Sequence, residues 1–264
     1  MSAELRTTHQ ASTPVPRRRL AAIAADLGYS SDWNWSWNSY KAVVEAISRE
    51  YGLTRHLEVG GGRDPLFTPA EASALGLDVT LNDISAAELA RAPAAFRTVC
   101  CDMAAPDTSK TIAAGTYDFA YSRMVMEHVR DARQLWVNQH AALAPGGVAL
   151  AFMPTLFAPA FAANRLVPEA VSAALVARLF PDRHDEGDNP KFPAYYDRCR
   201  GDERKVRPWL EEIGFSEVLV LPFYGYSYFW KVPVLRGVDA AFTRLCSARD
   251  WRLFTSFAYI LAVK

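Results

Sequence analysis

The residues most suited to chemistry lie in LEVGGGRDP, residues 57–65, where an acidic side chain stands two positions before the first of three consecutive glycines. Backbone without Cβ atoms lets a ligand approach closely, and amides at a following helix start favour polar or negative ligand groups. Glu58 adds a carboxylate just ahead of the glycines, which repels a pyrophosphate and attracts an ammonium group. A dinucleotide fingerprint needs Gly-x-Gly-x-x-Gly, and Pro65 stands where the third glycine would allow close helix–strand packing. Two histidines are candidates for a general base: His128 in MEHVRD and His184 in RHDEGD. Glu127 could orient His128 or stay a helix-surface carboxylate. RHDEGD also has the residue types of a divalent-cation site, although its density of charge reads first as a solvated loop, and no metal is expected. His140 reads as structural, and His9 and His56 are not candidates.

Positioning these residues requires alternating strands and helices. HLEV (56–59) is a short apolar run ending in glycines, with a helix expected over 66–75. DVTL (78–81), FRTVCC (96–101), YDFAYS (117–122) and VALAFM (148–153) read as further strands, with helices near 86–92 and over 131–143. After a break at 154–203, a helix at 204–213 and strands at 216–223 and 254–263 restore the rhythm. The pattern predicts an α/β fold: a doubly wound, mostly parallel, seven-stranded sheet covered on both faces. Residues 1–16 are expected to be a disordered tail, 17–52 a helical extension or lid, and 53–264 the main domain, with 154–203 an insertion that shapes a substrate pocket. Within the extension, apolar residues from Asn38 to Tyr51 recur at helical spacing, and Gly52 stops them.

At this point the motifs, taken together, resemble the class I S-adenosylmethionine-dependent methyltransferases. Glu58, Gly60 and Gly62 match the first motif, with Asp64 where a third glycine is usual. Asp83, twenty-five positions after Glu58, ends the second strand, and CCDM places Asp102 after the third. YDFAYSRMVMEHVRD resembles the fourth-strand motif, and LAPGGVALAF the turn into strand five. The resemblance is close over about 55–153 and rests on layout alone over 204–264. It implies a Rossmann-like fold and S-adenosyl-L-methionine as cofactor. It assigns Glu58 to the amino-acid end, Asp83 to the ribose hydroxyls, Asp102 to the adenine amino group and Met103 to the ring. Gly60, Gly61, Gly62, Ile84, Ser122 and Arg123 are the other cofactor positions expected, and the stretch holding His128 borders the reactive end.

The acceptor is expected among the N-terminal segment and the insertion. DWNWSW spaces Trp33, Trp35 and Trp37 at every second residue, so an extended chain would line them on one side, as stacking faces or as a clamp for the N-terminal helix. Tyr195, Tyr196, Asp197 and Arg198 combine hydroxyl, carboxylate and guanidinium, a mixture suited to a polyhydroxylated or carboxylated acceptor. A third aromatic group, at 222–230, could line the same pocket or pack as core. The expected activity is O-methylation of a small molecule or glycan. C- or N-methylation, an NAD-type oxidoreductase and a non-catalytic cofactor-binding protein are the alternatives.

Composition narrows the partners. The 264 residues carry 29 basic and 29 acidic side chains, so a broad electrostatic grip on nucleic acid is not expected. No run of about 20 uncharged apolar residues predicts a membrane span. Four cysteines without CxxC spacing and no secretion signal point to the cytoplasm, and the apolar stretch at 156–180 suits a lid or a homodimer surface.

Overall fold

Strands form where apolar runs are bounded by glycine and polar turns: β1 Arg55–Val59, β2 Asp78–Asp83, β3 Arg97–Cys100, β4 Tyr117–Arg123, β5 Leu143–Pro154, β6 Glu217–Phe223 and β7 Phe257–Val263. The computed structural model describes residues 19–157, 193–226 and 233–264. The strands join in the order β3-β2-β1-β4-β5-β7-β6. Neighbours from β3 to β5 run parallel, whereas β7 is antiparallel to both β5 and β6. Every residue of β7 is buried, as a strand covered on both faces requires. β5 starts earlier than the sequence predicts, because Leu143 already pairs with Tyr117 before a register shift accommodates Ala144–Gly147.

One face carries α1 Leu20–Asp26, α2 Trp33–Tyr51 and α3 Pro69–Ala74. Tyr40, Val43, Val44 and Ile47 of α2 share a core with Leu81, Phe119, Phe152 and Tyr259 of the sheet. The opposite face carries α5 Ala132–Ala142 and α6 Glu203–Ile213, whose Leu135, Trp136, Val206 and Leu210 pack on Leu57, Ala149, Val220 and Ile260. A single turn, α4 Ala86–Leu89, follows β2, and α7 Pro233–Ala248, not anticipated from the sequence, lies between β6 and β7.

Helix boundaries follow the caps. α3 begins at Pro69 rather than 66, because Thr68 and Glu71 form a reciprocal capping box there. The expectation of an extended 32–37 segment is corrected: Asp32 accepts from the Asn34 amide at 2.8 Å and starts α2 at Trp33. Residues two apart on a helix point about 200° from one another, so the three tryptophans do not share a side. Trp35 stacks on Phe223 (centroids 5.8 Å), Trp37 meets Phe152 edge-on at 4.9 Å, and the Trp33 amide donates to the Tyr224 carbonyl at 3.1 Å. Together they clamp α2 to the sheet. No helix among the described residues is long and apolar enough to cross a membrane.

Candidate functional site

In an open wound sheet the ligand crevice lies at the strands' carboxyl ends where the winding reverses. Here the reversal falls between β1 and β4, and a cavity of about 660 Å³ opens there. Its size fits the usual range of small-molecule sites, about 300–1,000 Å³.

The glycine loop makes the floor. The Gly60 and Gly61 amides both donate to the Asn82 carbonyl, at 2.8 and 3.1 Å, folding the loop over the end of β2. Gly60 has φ +71°, and a Cβ there would stand 2.3 Å from Cγ2 of Val125. At Gly62, φ +41°, a Cβ would stand 3.1 Å from Oδ2 of Asp83. Asp83 accepts from the Ser85 amide through Oδ1 at 2.8 Å, while burial, with Glu88 nearby, raises its carboxyl above the ordinary range. Asp102 accepts from the Ala104 amide through Oδ1 at 2.8 Å, and buried Met103 lies beside it. Asn138 on α5 fixes this loop by donating to the carbonyls of Met103 (2.9 Å) and Ala105 (2.7 Å). Ile84 stands exposed at the rim, and Arg123 reaches the wall from the end of β4.

Two expected cofactor positions lie behind the wall. Both oxygens of Glu58 accept from the Leu66 amide at 3.0 Å, and the carboxyl is buried beneath Gly61. Burial raises it to about 7, against the pull of that amide. Side chains alternate along a strand, so Glu58 faces away from the side of Leu57 and Val59 and holds the loop from below. Ser122 is fully buried, and its carbonyl accepts from the Tyr40 hydroxyl at 2.9 Å.

The far end of the cavity is built by the β4–α5 connection and a strap at 193–201. The strap's Tyr195 and Tyr196 amides both donate to the Glu127 carbonyl, at 2.7 and 3.1 Å. Asp197 accepts from the Ala132 amide at the start of α5, at 2.9 Å. His128 lines the cavity and donates through Nδ1 to the Pro193 carbonyl at 2.9 Å, with Nε2 3.8 Å from Oε1 of Glu127. Burial raises the Glu127 carboxyl to about 7. Tyr195 also lines the cavity and accepts from Nε of Arg130 at 2.9 Å.

The remaining expected residues are placed elsewhere. Trp33 and Trp37 serve the clamp and lie outside the cavity lining. Tyr196 packs against the α5-side core, and Arg198 lines a separate cavity. His184 and the RHDEGD segment lie outside the described residues, as do residues 227–230 of the third aromatic group. Among the described residues, no three His, Cys, Asp or Glu side chains gather as a metal site. His56 is buried beside Phe119 and lowered to about 4 by burial, and His140 packs on Phe215, so both are structural.

Several residues went unnoticed in the sequence. An ion pair between Arg63 and Glu88 (2.8 Å) forms part of the wall, and Pro193 supplies the carbonyl that orients His128. Asn82 donates to the carbonyls of Val99 and Cys101, both at 3.0 Å. A lone amide in the otherwise apolar run VTLN was the available signal.

A family profile described as a methyltransferase domain matches residues 9–216. No curated protein sequence matches the chain. Among solved structures, the chain is similar to an S-adenosylmethionine-dependent methyltransferase from Archaeoglobus fulgidus, with 16% identity over 88% of this chain and 100% of that one, and a TM-score of 0.48. Phosphoethanolamine N-methyltransferase 2 from Haemonchus contortus gives 16% identity and a TM-score of 0.50, covering 93% of this chain and 56% of its own. The carbon methyltransferase DszA gives 15% identity and a TM-score of 0.50, covering 86% of this chain and 54% of its own. The profile spans well over half the sequence, and the winding and the glycine-floored crevice agree with it. This chain therefore belongs to the methyltransferase-domain family and carries the class I Rossmann-like fold of S-adenosylmethionine-dependent enzymes.

Proposed function

We propose that this protein methylates a hydroxyl group of a small molecule or glycan, with His128 as the general base. S-Adenosylmethionine, when bound, supplies a methyl group made electrophilic by its sulfonium. The residues present fit that cofactor. The cradle at Gly60 and Gly62 has room only where side chains are missing, Asp83 and Asp102 each offer a second carboxylate oxygen to donors, and Met103 provides an apolar surface. Arg123, on the wall near the glycine loop, is suited to a carboxylate of the amino-acid end.

The observation that carries the choice of oxygen is the hydrogen bond from His128 to Pro193. A carbonyl can only accept, so Nδ1 holds the proton and, in the neutral ring, Nε2 carries the lone pair. A hydroxyl of the acceptor gives its proton to Nε2, and Glu127, 3.8 Å away, stabilises the imidazolium that results. A positioned base of this kind contributes roughly 10²–10⁴-fold in rate. The cavity's work is otherwise alignment and exclusion of water. The four cysteines are free thiols, which fits a reducing cytoplasm.

The test is incubation with methyl-labelled cofactor and a library of phenols, sugars, amines and carbon acids, followed by mass spectrometry. Transfer to hydroxyl acceptors, abolished or strongly slowed in His128→Asn, is the expected result. Label appearing only on nitrogen or carbon refutes the assignment of oxygen. Tight cofactor binding with no turnover on any acceptor points to a binding protein instead.

A further inference from the structure

One strand beyond the cofactor crevice, at the same edge of the sheet, a second cavity of about 550 Å³ opens between the end of β5, the strap and the residues leading into β7. Its charged wall holds Arg198, Arg200, Lys205 and Arg252 against Asp197 and Asp202. In a chain whose charges sum to zero, this concentration needs a reason. Two of the six groups are already charge-compensated, and a third, Asp197, keeps its charge while a backbone amide holds it. Arg252 is paired with Asp250 at 2.9 Å, Asp202 is held by Arg204 at 3.1 Å, and Asp197 accepts the Ala132 amide. Among the described residues, Arg198, Arg200 and Lys205 pair with no carboxylate. Counting the Asp197 charge against these three cations leaves two positive charges in excess among the described residues.

The arginines are held in place by ring faces. Arg200 lies over Phe157, its guanidinium 4.5 Å from the centroid, and Arg198 lies over Trp209 at 5.2 Å. Nη1 of Arg200 is buried and has no hydrogen-bond partner among the described residues. A buried charged donor without an acceptor is unfavourable unless something brought to the site supplies one. Leu156, Phe157 and Leu253 give the rest of the wall an apolar character, which suits an organic anion better than a hydrated inorganic one.

We propose that this cavity binds the phosphate-monoester group of the methyl acceptor, a dianion that matches the two-charge excess and offers oxygens to Arg200, Arg198 and Lys205. The proposal deepens the small-molecule reading above and rests on it. Neighbouring strands lie about 4.8 Å apart, and β4, whose end lines the cofactor cavity, is adjacent to β5. The proposal requires an acceptor that spans this edge of the sheet, its phosphate in one cavity and its hydroxyl in the other.

The test is calorimetry on the full chain saturated with S-adenosylhomocysteine, titrated with phenyl phosphate, inorganic phosphate or phenyl glucoside. Phenyl phosphate is expected to bind, more tightly than inorganic phosphate, and the glucoside not at all. Arg200→Gln and the solvent-exposed Lys205→Gln are each expected to weaken phenyl phosphate at least tenfold while leaving S-adenosylhomocysteine affinity unchanged. Because Lys205 is exposed, its variant remains informative if the arginine variant fails to fold. No binding, competition with S-adenosylhomocysteine, or binding indifferent to Lys205→Gln overturns the proposal. Labelled-methyl transfer separates it from the reading beneath it. Transfer confined to uncharged acceptors overturns the phosphate site alone. No transfer to any small molecule, with phenyl phosphate still bound, overturns the small-molecule reading and the assignment of this site to the acceptor.

Discussion

Replacing Gly60 with alanine places a methyl carbon 2.3 Å from Cγ2 of Val125 on a backbone with φ +71°. Two separate penalties follow. The left-handed conformation costs alanine about 1–2 kcal/mol, and overpacking a filled site costs about 1–3 kcal/mol. The single variant should therefore lose roughly 2–5 kcal/mol, a large part of the 5–15 kcal/mol typical of a domain. Trimming the obstacle with Val125→Ala costs only about 1 kcal/mol for its partly buried methyl groups. In the double variant the collision disappears and the backbone penalty remains. The two substitutions should thus be less than additive by about 1–3 kcal/mol. Urea unfolding of the wild type, both single variants and the double variant measures this coupling. Calorimetry with S-adenosylhomocysteine should show the affinity lost in Gly60→Ala partly regained in the double variant. A fully additive cycle, or a Gly60→Ala protein as stable as wild type, would refute the view that Val125 presses on the glycine floor.

Three other outcomes are expected. Asp83→Ala should lower cofactor affinity by about 1–3 kcal/mol, roughly 5- to 150-fold in Kd, by removing a charged hydrogen-bond acceptor; titration calorimetry reads it. His128→Asn should reduce kcat by about 10²–10⁴-fold with cofactor Kd unchanged, read from steady-state rates and titration calorimetry. Burial raises both Glu58 and Glu127 from an ordinary 4.5 to about 7, so between those values the folded state binds more protons than the unfolded chain. Stability should accordingly fall as pH rises from about 4.5 to 7, at up to about 1.4 kcal/mol per pH unit for each group. Urea midpoints across that range should show the decline, and Glu127→Gln should shallow it; a stability that climbs over this window would contradict the burial of these acids.

The wound half of the sheet was legible because short strands rich in apolar residues recur between helices and their ends are marked by glycine or an acid, as at Val59–Gly62, Asp83 and Asp102. The side of the sheet was less legible. Glu58 occupies its motif position, yet strand alternation turns its carboxylate under the loop, where the Leu66 amide takes it up. Trp33, Trp35 and Trp37 show a spacing of two that suits a strand, and the signal that outweighed it was local: Asp32 satisfies the Asn34 amide and opens a helix. The base's surroundings were hidden for a different reason. Pro193 lies 65 positions from His128, and no local pattern announces a carbonyl delivered from that distance. The second cavity draws on segments around 155, 200 and 252, which only the placement of β7 beside β5 brings together.

That placement has a consequence for how the molecule is made. Among the described residues, β6 has β7 as its sole ladder partner, and β7 is also what joins β6 to β5. As synthesis proceeds, β6 emerges before the segment that will receive it and waits with both edges unsatisfied. Meanwhile β5, more than a hundred positions earlier, offers a bare rim where β7 will later insert. Closure of the sheet thus waits on a long-range pairing, and until residues 257–263 are in place β5 presents the kind of unpaired strand edge that invites pairing with other chains.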